Sequence, residues 1–182
     1  MDQIEVTNIF AAVFEKPGLD PILSVLSKGK VKFWGTEGTV KYLKSKGFDA
    51  TSVVSGFDFD GRVKSLDRSV FVRVLADRNN PKHVRELKGL ALKPFDLIIV
   101  DLYAPDVQSF PQSMDIGGMS LIRAACKNYQ NVALAYDQMS IFDLASELRK
   151  NSNATTLDFR KNQAKAASLF IAQRCKLESE MF

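Results

Sequence analysis

The run Phe95-Asp96-Leu97-Ile98-Ile99-Val100-Asp101-Leu102-Tyr103 constrains the fold more than any other part of the chain. Its apolar centre is continuous rather than alternating, so both faces must be covered, as in the interior of a parallel sheet. Parallel strands need long crossovers, usually helical, between them. The remaining sequence supplies such elements. Strands are expected over residues 4–14, 30–34, 51–55, 69–76 and 131–136, where β-branched and aromatic residues cluster. Helices are expected over 18–26, with Asp20 as N-cap and Pro21 in the first position, and over 36–46, closed by Gly47. Further helices are expected over 81–90, 140–149 and from about 155 onward. This alternation predicts one α/β domain over residues 1–182, a three-layer α/β/α arrangement with a mainly parallel sheet.

Composition narrows the function. With 25 basic and 21 acidic residues the net charge is +4, too mild for a nucleic-acid binder and compatible with a small anionic ligand. No apolar run reaches membrane-spanning length and no secretory pattern opens the chain, so a cytoplasmic protein without membrane partners is expected. Cys126 and Cys175 make no disulfide framework and are expected reduced. His83 is the single histidine and lies in a polar helical stretch. That excludes histidine-rich metal sites, disfavours a Ser-His-Asp triad and gives His83 a surface role.

In a sheet of this kind the ligand lies beyond the carboxyl ends of the strands. Four segments fall at or just after expected strand ends: 14–16, 35–39, 101–103 and 115–118. Gly35-Thr36-Glu37-Gly38-Thr39 opens a helix with two hydroxyls and free N–H groups, which suits a phosphate monoester or a plain threonine cap equally well. Lys16 either adds a point charge there or is solvated. In Gly61-Arg62-Val63-Lys64-Ser65, Arg62 and Lys64 face one way if extended, as an anion clamp, an electrophilic pair or simply a charged loop. The irregular stretch 56–68 around them is long enough to be functional. Tyr103 is a proton donor or a tyrosine with a buried ring and a wet hydroxyl. Asp115, before Ile116-Gly117-Gly118, caps a helix or stands at the mouth of an anion- or amide-accepting turn. If one straight helix ran from Asp115 to Lys127, twelve steps would separate them by roughly 18 Å. They meet only if the glycines are loop and the helix begins near Met119, or if the site is built across two subunits.

Taken in order, Lys16, Thr36-Glu37-Gly38-Thr39, Gly61-Arg62-Val63-Lys64-Ser65-Leu66, Asp101-Leu102-Tyr103, Asp115-Ile116-Gly117-Gly118 and Arg123-Ala124-Ala125-Cys126-Lys127-Asn128 resemble the inosine monophosphate cyclohydrolase domain of the bifunctional purine-biosynthesis enzyme, which has the methylglyoxal-synthase-like fold. The likeness runs from about residue 9 to the C-terminal helix. It implies a catalytic quartet of Lys64, Tyr103, Asp115 and Lys127. It also implies a substrate-binding set of Lys16, Thr36, Glu37, Gly38, Thr39, Arg62, Ser65, Asp101, Ile116 and Gly117. Departures from the family pattern are Ala12-Val13-Phe14-Glu15-Lys16-Pro17-Gly18 for Ser-Val-Ser-Asp-Lys-Thr-Gly, Glu37 for a loop glycine, Lys64-Ser65-Leu66-Asp67-Arg68 for Lys-Thr-Leu-His-Pro, and Asp101-Leu102-Tyr103-Ala104 for Asn-Leu-Tyr-Pro.

The resemblance implies dehydrative ring closure of a formamidoimidazole carboxamide ribonucleotide, with no cofactor and no metal. The chain stops where the cyclohydrolase half would end, so a separate formyltransferase is expected to supply the substrate. A homodimer is expected, with Leu169, Phe170, Ile171 and Phe182 of the C-terminal helix as an interface. Two rivals stand beside it: a binding module that keeps the fold but has lost turnover, and, further off, a methylglyoxal synthase.

Overall fold

A computed structural model describes residues 2–54 and 63–182. Five strands form a wholly parallel sheet in the order β4-β3-β2-β5-β6: β2 (Asn8–Ala12), β3 (Lys32–Gly35), β4 (Asp49–Ser52), β5 (Leu97–Val100) and β6 (Ala133–Ala135). The chain runs β2, β3, β4 toward one edge, then returns to lay β5 on the other side of β2 and β6 beyond it. The topological switch therefore falls between β2 and β5, where open α/β sheets place their ligands.

Alternate side chains of the central strands feed opposite cores. Ile9, Ala11, Leu97 and Ile99 pack against α1 (Asp20–Leu23), α2 (Glu37–Ser45) and α6 (Gln138–Lys150). Phe10, Ile98 and Val100 pack against α3 (Arg68–Leu75), α5 (Ile116–Lys127) and α7 (Leu157–Ser179). All four residues of β5 are fully buried, as its unbroken apolar run requires. The three-layer expectation holds. α4 (Pro81–Gly89) lies close to its expected bounds, with Asn80 as N-cap.

Three expectations are corrected. The stretch 69–76 is helix α3, not strand. Asp67 caps it by accepting from Ser69 N at 2.7 Å, and Val70, Arg73 and Val74 are buried at helical spacing. The first strand is broken in two. Gln3–Glu5 is β1, antiparallel to β7 (Ala154–Thr156) in a separate ribbon, and only Asn8–Ala12 enters the main sheet. The helix at 18–26 shrinks to a 3-10 turn over Lys16–Leu19 and the single turn of α1. Asp20 does not cap it: its carboxylate accepts from the Tyr42 hydroxyl at 2.7 Å and from Lys46 Nζ at 2.9 Å.

The C-terminal helix offers less exposed apolar surface than expected. Ile171 belongs to the core and Phe170 packs on Tyr136 with ring centroids 5.1 Å apart, whereas Leu169 is exposed; Phe182, also exposed, lies beyond the end of α7. His83 is half-buried, and its Nδ1 accepts from Asp77 N at 3.1 Å. Both cysteines are free thiols. Among the described residues no helix is long and apolar enough to cross a membrane, and no cluster of His, Cys, Asp or Glu could hold a metal ion.

Candidate functional site

A cleft of about 760 Å³ opens at the carboxyl edge of the sheet, over the switch between β2 and β5. Its walls include Lys16, Thr36, Glu37, Gly38, Lys64, Ser65, Asp101, Tyr103, Asp115, Ile116 and Gly117. All four segments singled out at strand ends thus contribute to one depression.

Asp115 is the N-cap of α5, its Oδ1 accepting from Gly118 N at 2.7 Å. Among the described residues Oδ2 takes no hydrogen bond. Capping and facing the cleft are compatible, because a cap uses one carboxylate oxygen. The glycine pair explains the geometry. A Cβ on Gly117 would lie 2.9 Å from Ser65 Oγ, and one on Gly118 would meet Leu102 and both Asp115 oxygens at 3.0 Å. Burial pushes the Asp115 carboxyl above its ordinary range, and Asp101 adds to the rise; the Gly118 N–H and the Arg174 charge oppose it.

Tyr103 follows β5. Its hydroxyl lies 3.4 Å from the Met114 carbonyl, and its ring tilts against Phe14 with centroids 6.0 Å apart. Burial raises its phenol pKa, the Asp115 and Glu178 charges add to that, and Arg174 lowers it. Lys64 stands exposed on the turn leading to α3.

At the other end of the cleft, Thr36 is the N-cap of α2 but makes no side-chain capping bond, so the first N–H groups of the helix remain open. Lys16 Nζ donates to the Phe14 carbonyl at 2.8 Å and would be 3.9 Å from a Cβ on Gly38. Positive charge and helix N-terminus therefore coincide, an arrangement suited to an oxyanion. Glu37 is exposed in the first turn of the same helix.

Several expected residues stand elsewhere or serve otherwise. Thr39 is fully buried, its hydroxyl bridging to Val13 N at 3.2 Å and Val13 O at 3.3 Å; it holds α2 to the end of β2 and does not line the cleft. Asp101 lines the cleft, but its carboxylate accepts from the backbone N–H groups of Phe14 and of Glu15, the latter at 2.9 Å. Arg62 lies outside the described residues. Lys127 is not brought in. Helix α5 begins at Ile116, not near Met119, and Lys127 ends it. Twelve residue steps set Lys127 roughly 18 Å from Asp115. The neighbouring Asn128 donates to Val74 O at 2.7 Å and Ala76 O at 2.9 Å, fixing that end of α5 away from the cleft. Among the described wall residues, two cations (Lys16, Lys64) face three carboxylates (Glu37, Asp101, Asp115).

Phe14, in the first of the expected strand-end segments, does line the cleft, whereas Pro111, Gln112 and Met114 are wall residues that sequence reasoning missed. It also missed Arg174, whose Nη1 donates to the Tyr103 carbonyl at 2.9 Å from 71 residues away. No local motif marks that arginine.

No family model matches the chain. Individual proteins do. It is 36% identical over 155 residues to the bifunctional purine biosynthesis protein PurH of Cutibacterium acnes, covering 79% of this chain. It is 35% identical over 181 residues to PurH of Jannaschia sp., covering 91% of this chain. The chain is a relative of PurH. It spans about a third of the length of these PurH proteins, 30% and 34% respectively. PurH of Clostridium botulinum is matched at 31% identity over 92% of this chain and 36% of its own length. Among solved structures, the crystal structure of ForH superposes with a TM-score of 0.75 at 24% identity, covering 97% of this chain and 98% of that one. That likeness establishes the fold.

Proposed function

We propose that the chain is an inosine monophosphate cyclohydrolase of purine biosynthesis. It would close the pyrimidine ring of 5-formamidoimidazole-4-carboxamide ribonucleotide with loss of water. The observation that carries the reading is that Lys64, Tyr103, Asp115 and the Lys16–Thr36–Gly38 oxyanion corner line a single cleft. The PurH likeness supports the pathway.

In the ring closure the carboxamide nitrogen gives up one proton as it bonds to the formyl carbon, the formamido nitrogen gives up a second as its double bond to that carbon forms, and the formyl oxygen leaves with both as water. Proximity within one substrate supplies much of the acceleration. The protein must accept a proton from a weak acid and stabilise an oxyanion. Asp115 Oδ2 and Lys64 deprotonate or polarise the amide. A carboxylate whose pKa is raised by burial is a better proton acceptor than an ordinary one. Tyr103, with its hydroxyl in the same wall, donates to the formyl oxygen and assists the departure of water. Thr36, Gly38 and Lys16 hold the 5′-phosphate. Lys127 joins the oxyanion set only from a second copy of the chain, whose added positive charge would also offset the three carboxylates of the wall. The reading therefore includes a homodimer, with the formylated substrate supplied by a formyltransferase activity.

The binding-module reading retains two observations, the Glu37 carboxylate at the anion corner and Phe14 in the cleft wall where the family pattern has a serine. Asp67, which also departs from the family pattern, caps α3 and has a purely structural explanation.

An absorbance assay with the formylated ribonucleotide tests the proposal. Wild type should turn over, and Lys64→Ala should lose at least about a hundredfold in kcat, the scale of a removed oxyanion or proton-handling group. Glu37→Gly should lower KM severalfold by relieving repulsion of the phosphate. Tight binding without conversion by wild type would transfer the case to the binding module.

A further inference from the structure

Helix α7 packs on α5 through Ala167 and Ile171, beside Leu121 and Ile122. Nearer their other ends, Cys126 Sγ donates to Ala164 O at 3.5 Å. The two helices therefore run antiparallel, and one turn beyond Ile171 the chain arrives at the end of α5 that carries Asp115. Arg174 stands there, half-buried. Its Nη1 donates to the Tyr103 carbonyl at 2.9 Å. It does not line the cleft.

We propose that Arg174 is a positioning residue of this site, reaching from α7 to hold the strand end that presents Tyr103 and to set a fixed positive charge behind Asp115. A guanidinium remains charged at every working pH, so its field does not switch off. The direction of its influence agrees with the geometry: it opposes the rise that burial imposes on both Asp115 and Tyr103. The other charged groups acting on the pair are Asp101 after β5, acting on Asp115, and Glu178 on α7, acting on Tyr103. Lys16, Lys64 and Glu37 face the same cleft from the other elements. Asp101 and Glu178 push the two proton affinities up, and Arg174 is the cation that holds them down. Without it, Asp115 would hold its proton to higher pH, so less of it would stand ionised and ready to accept one, although each ionised carboxylate would be the stronger base. The Tyr103 backbone would also lose its tie to α7.

The test uses the full chain as wild type, Arg174→Gln and Arg174→Lys. Carboxyl and phenol ¹³C resonances of Asp115 and Tyr103, assigned with Asp115→Asn and Tyr103→Phe, are titrated by NMR. In Arg174→Gln the Asp115 midpoint should rise by about half a pH unit or more, as expected when a nearby opposite charge is removed. Arg174→Lys should recover most of that shift. With the formylated ribonucleotide, kcat of Arg174→Gln should fall roughly tenfold while KM changes less than about twofold, and the acid limb of the kcat profile should move to higher pH. The rate arm rests on the cyclohydrolase reading and the titration arm does not. An inactive wild type with shifted titrations would count against that reading and in favour of Arg174's role. Unchanged Asp115 and Tyr103 titrations in a folded Arg174→Gln would overturn the proposal. So would equal losses in both variants tracking a lowered melting temperature, which would mark a merely structural arginine.

Discussion

At Asp115 one carboxylate caps a helix and forms part of the cleft wall, and burial raises its proton affinity. Ionised, it therefore costs folding free energy that a neutral isostere would not. Asparagine keeps an oxygen for the Gly118 N–H. Asp115→Asn should then melt above wild type at pH 7 while losing ring-closing activity. The sign follows from the raised folded pKa. Wild type loses stability relative to the variant as pH rises from the ordinary carboxylate value of about 3.9 through its own higher one, and the gap closes below both. Calorimetry from pH 3 to 8 reads this directly. Single residues were legible in the sequence where the local chain dictated their setting: Asp115 before two glycines, Tyr103 at the end of a buried strand. Thr39 and Asp101 fell on the right edge, but their engagement with Val13, Phe14 and Glu15 was not legible, because those partners lie 26 to 87 residues away.

Among the elements, α3 is the instructive failure. Ser69-Val70-Phe71-Val72-Arg73-Val74 reads as a strand because β-branched residues alternate with others. The core-facing positions are in fact Val70, Arg73 and Val74, and a buried arginine breaks any reading by hydrophobicity. Arg73 is accommodated by stacking between Trp34 and Phe95, its guanidinium carbon 4.0 and 3.7 Å from the ring centroids, with Nε donating to Lys93 O at 2.6 Å. Burial lowers its pKa to about 10. None of those aromatic partners is near in sequence. The parallel sheet, by contrast, was legible from β5 alone. Its tightest point is Gly35, where an added Cβ would strike the Ala11 carbonyl oxygen across the β2–β3 pair. Backbone cannot swing aside as a side chain can. Gly35→Ala should therefore cost about 3 kcal/mol, the upper end of overpacking penalties, and lower the melting temperature by roughly 6–12 °C.

For the whole molecule, the decisive object is α5, an unbroken helix of 12 residues with Asp115 capping one end and Lys127 closing the other. If Lys127 serves a neighbour's cleft, two inactive variants should complement each other. Mixing Lys64→Ala with Lys127→Ala under conditions that exchange protomers should restore about a quarter of wild-type activity, since half the pairs would be mixed and each would hold one intact site. Activity no higher than the two variants alone would show that Lys127 takes no part. The sequence could pose this choice because helix length follows from residue count, but it could not decide where the helix begins. Should the site be shared, the stiffness of that rod has an outcome in the test tube: progressive dilution would separate the protomers and silence the enzyme with every chain still folded, so that the rate per molecule would depend on how crowded the solution is.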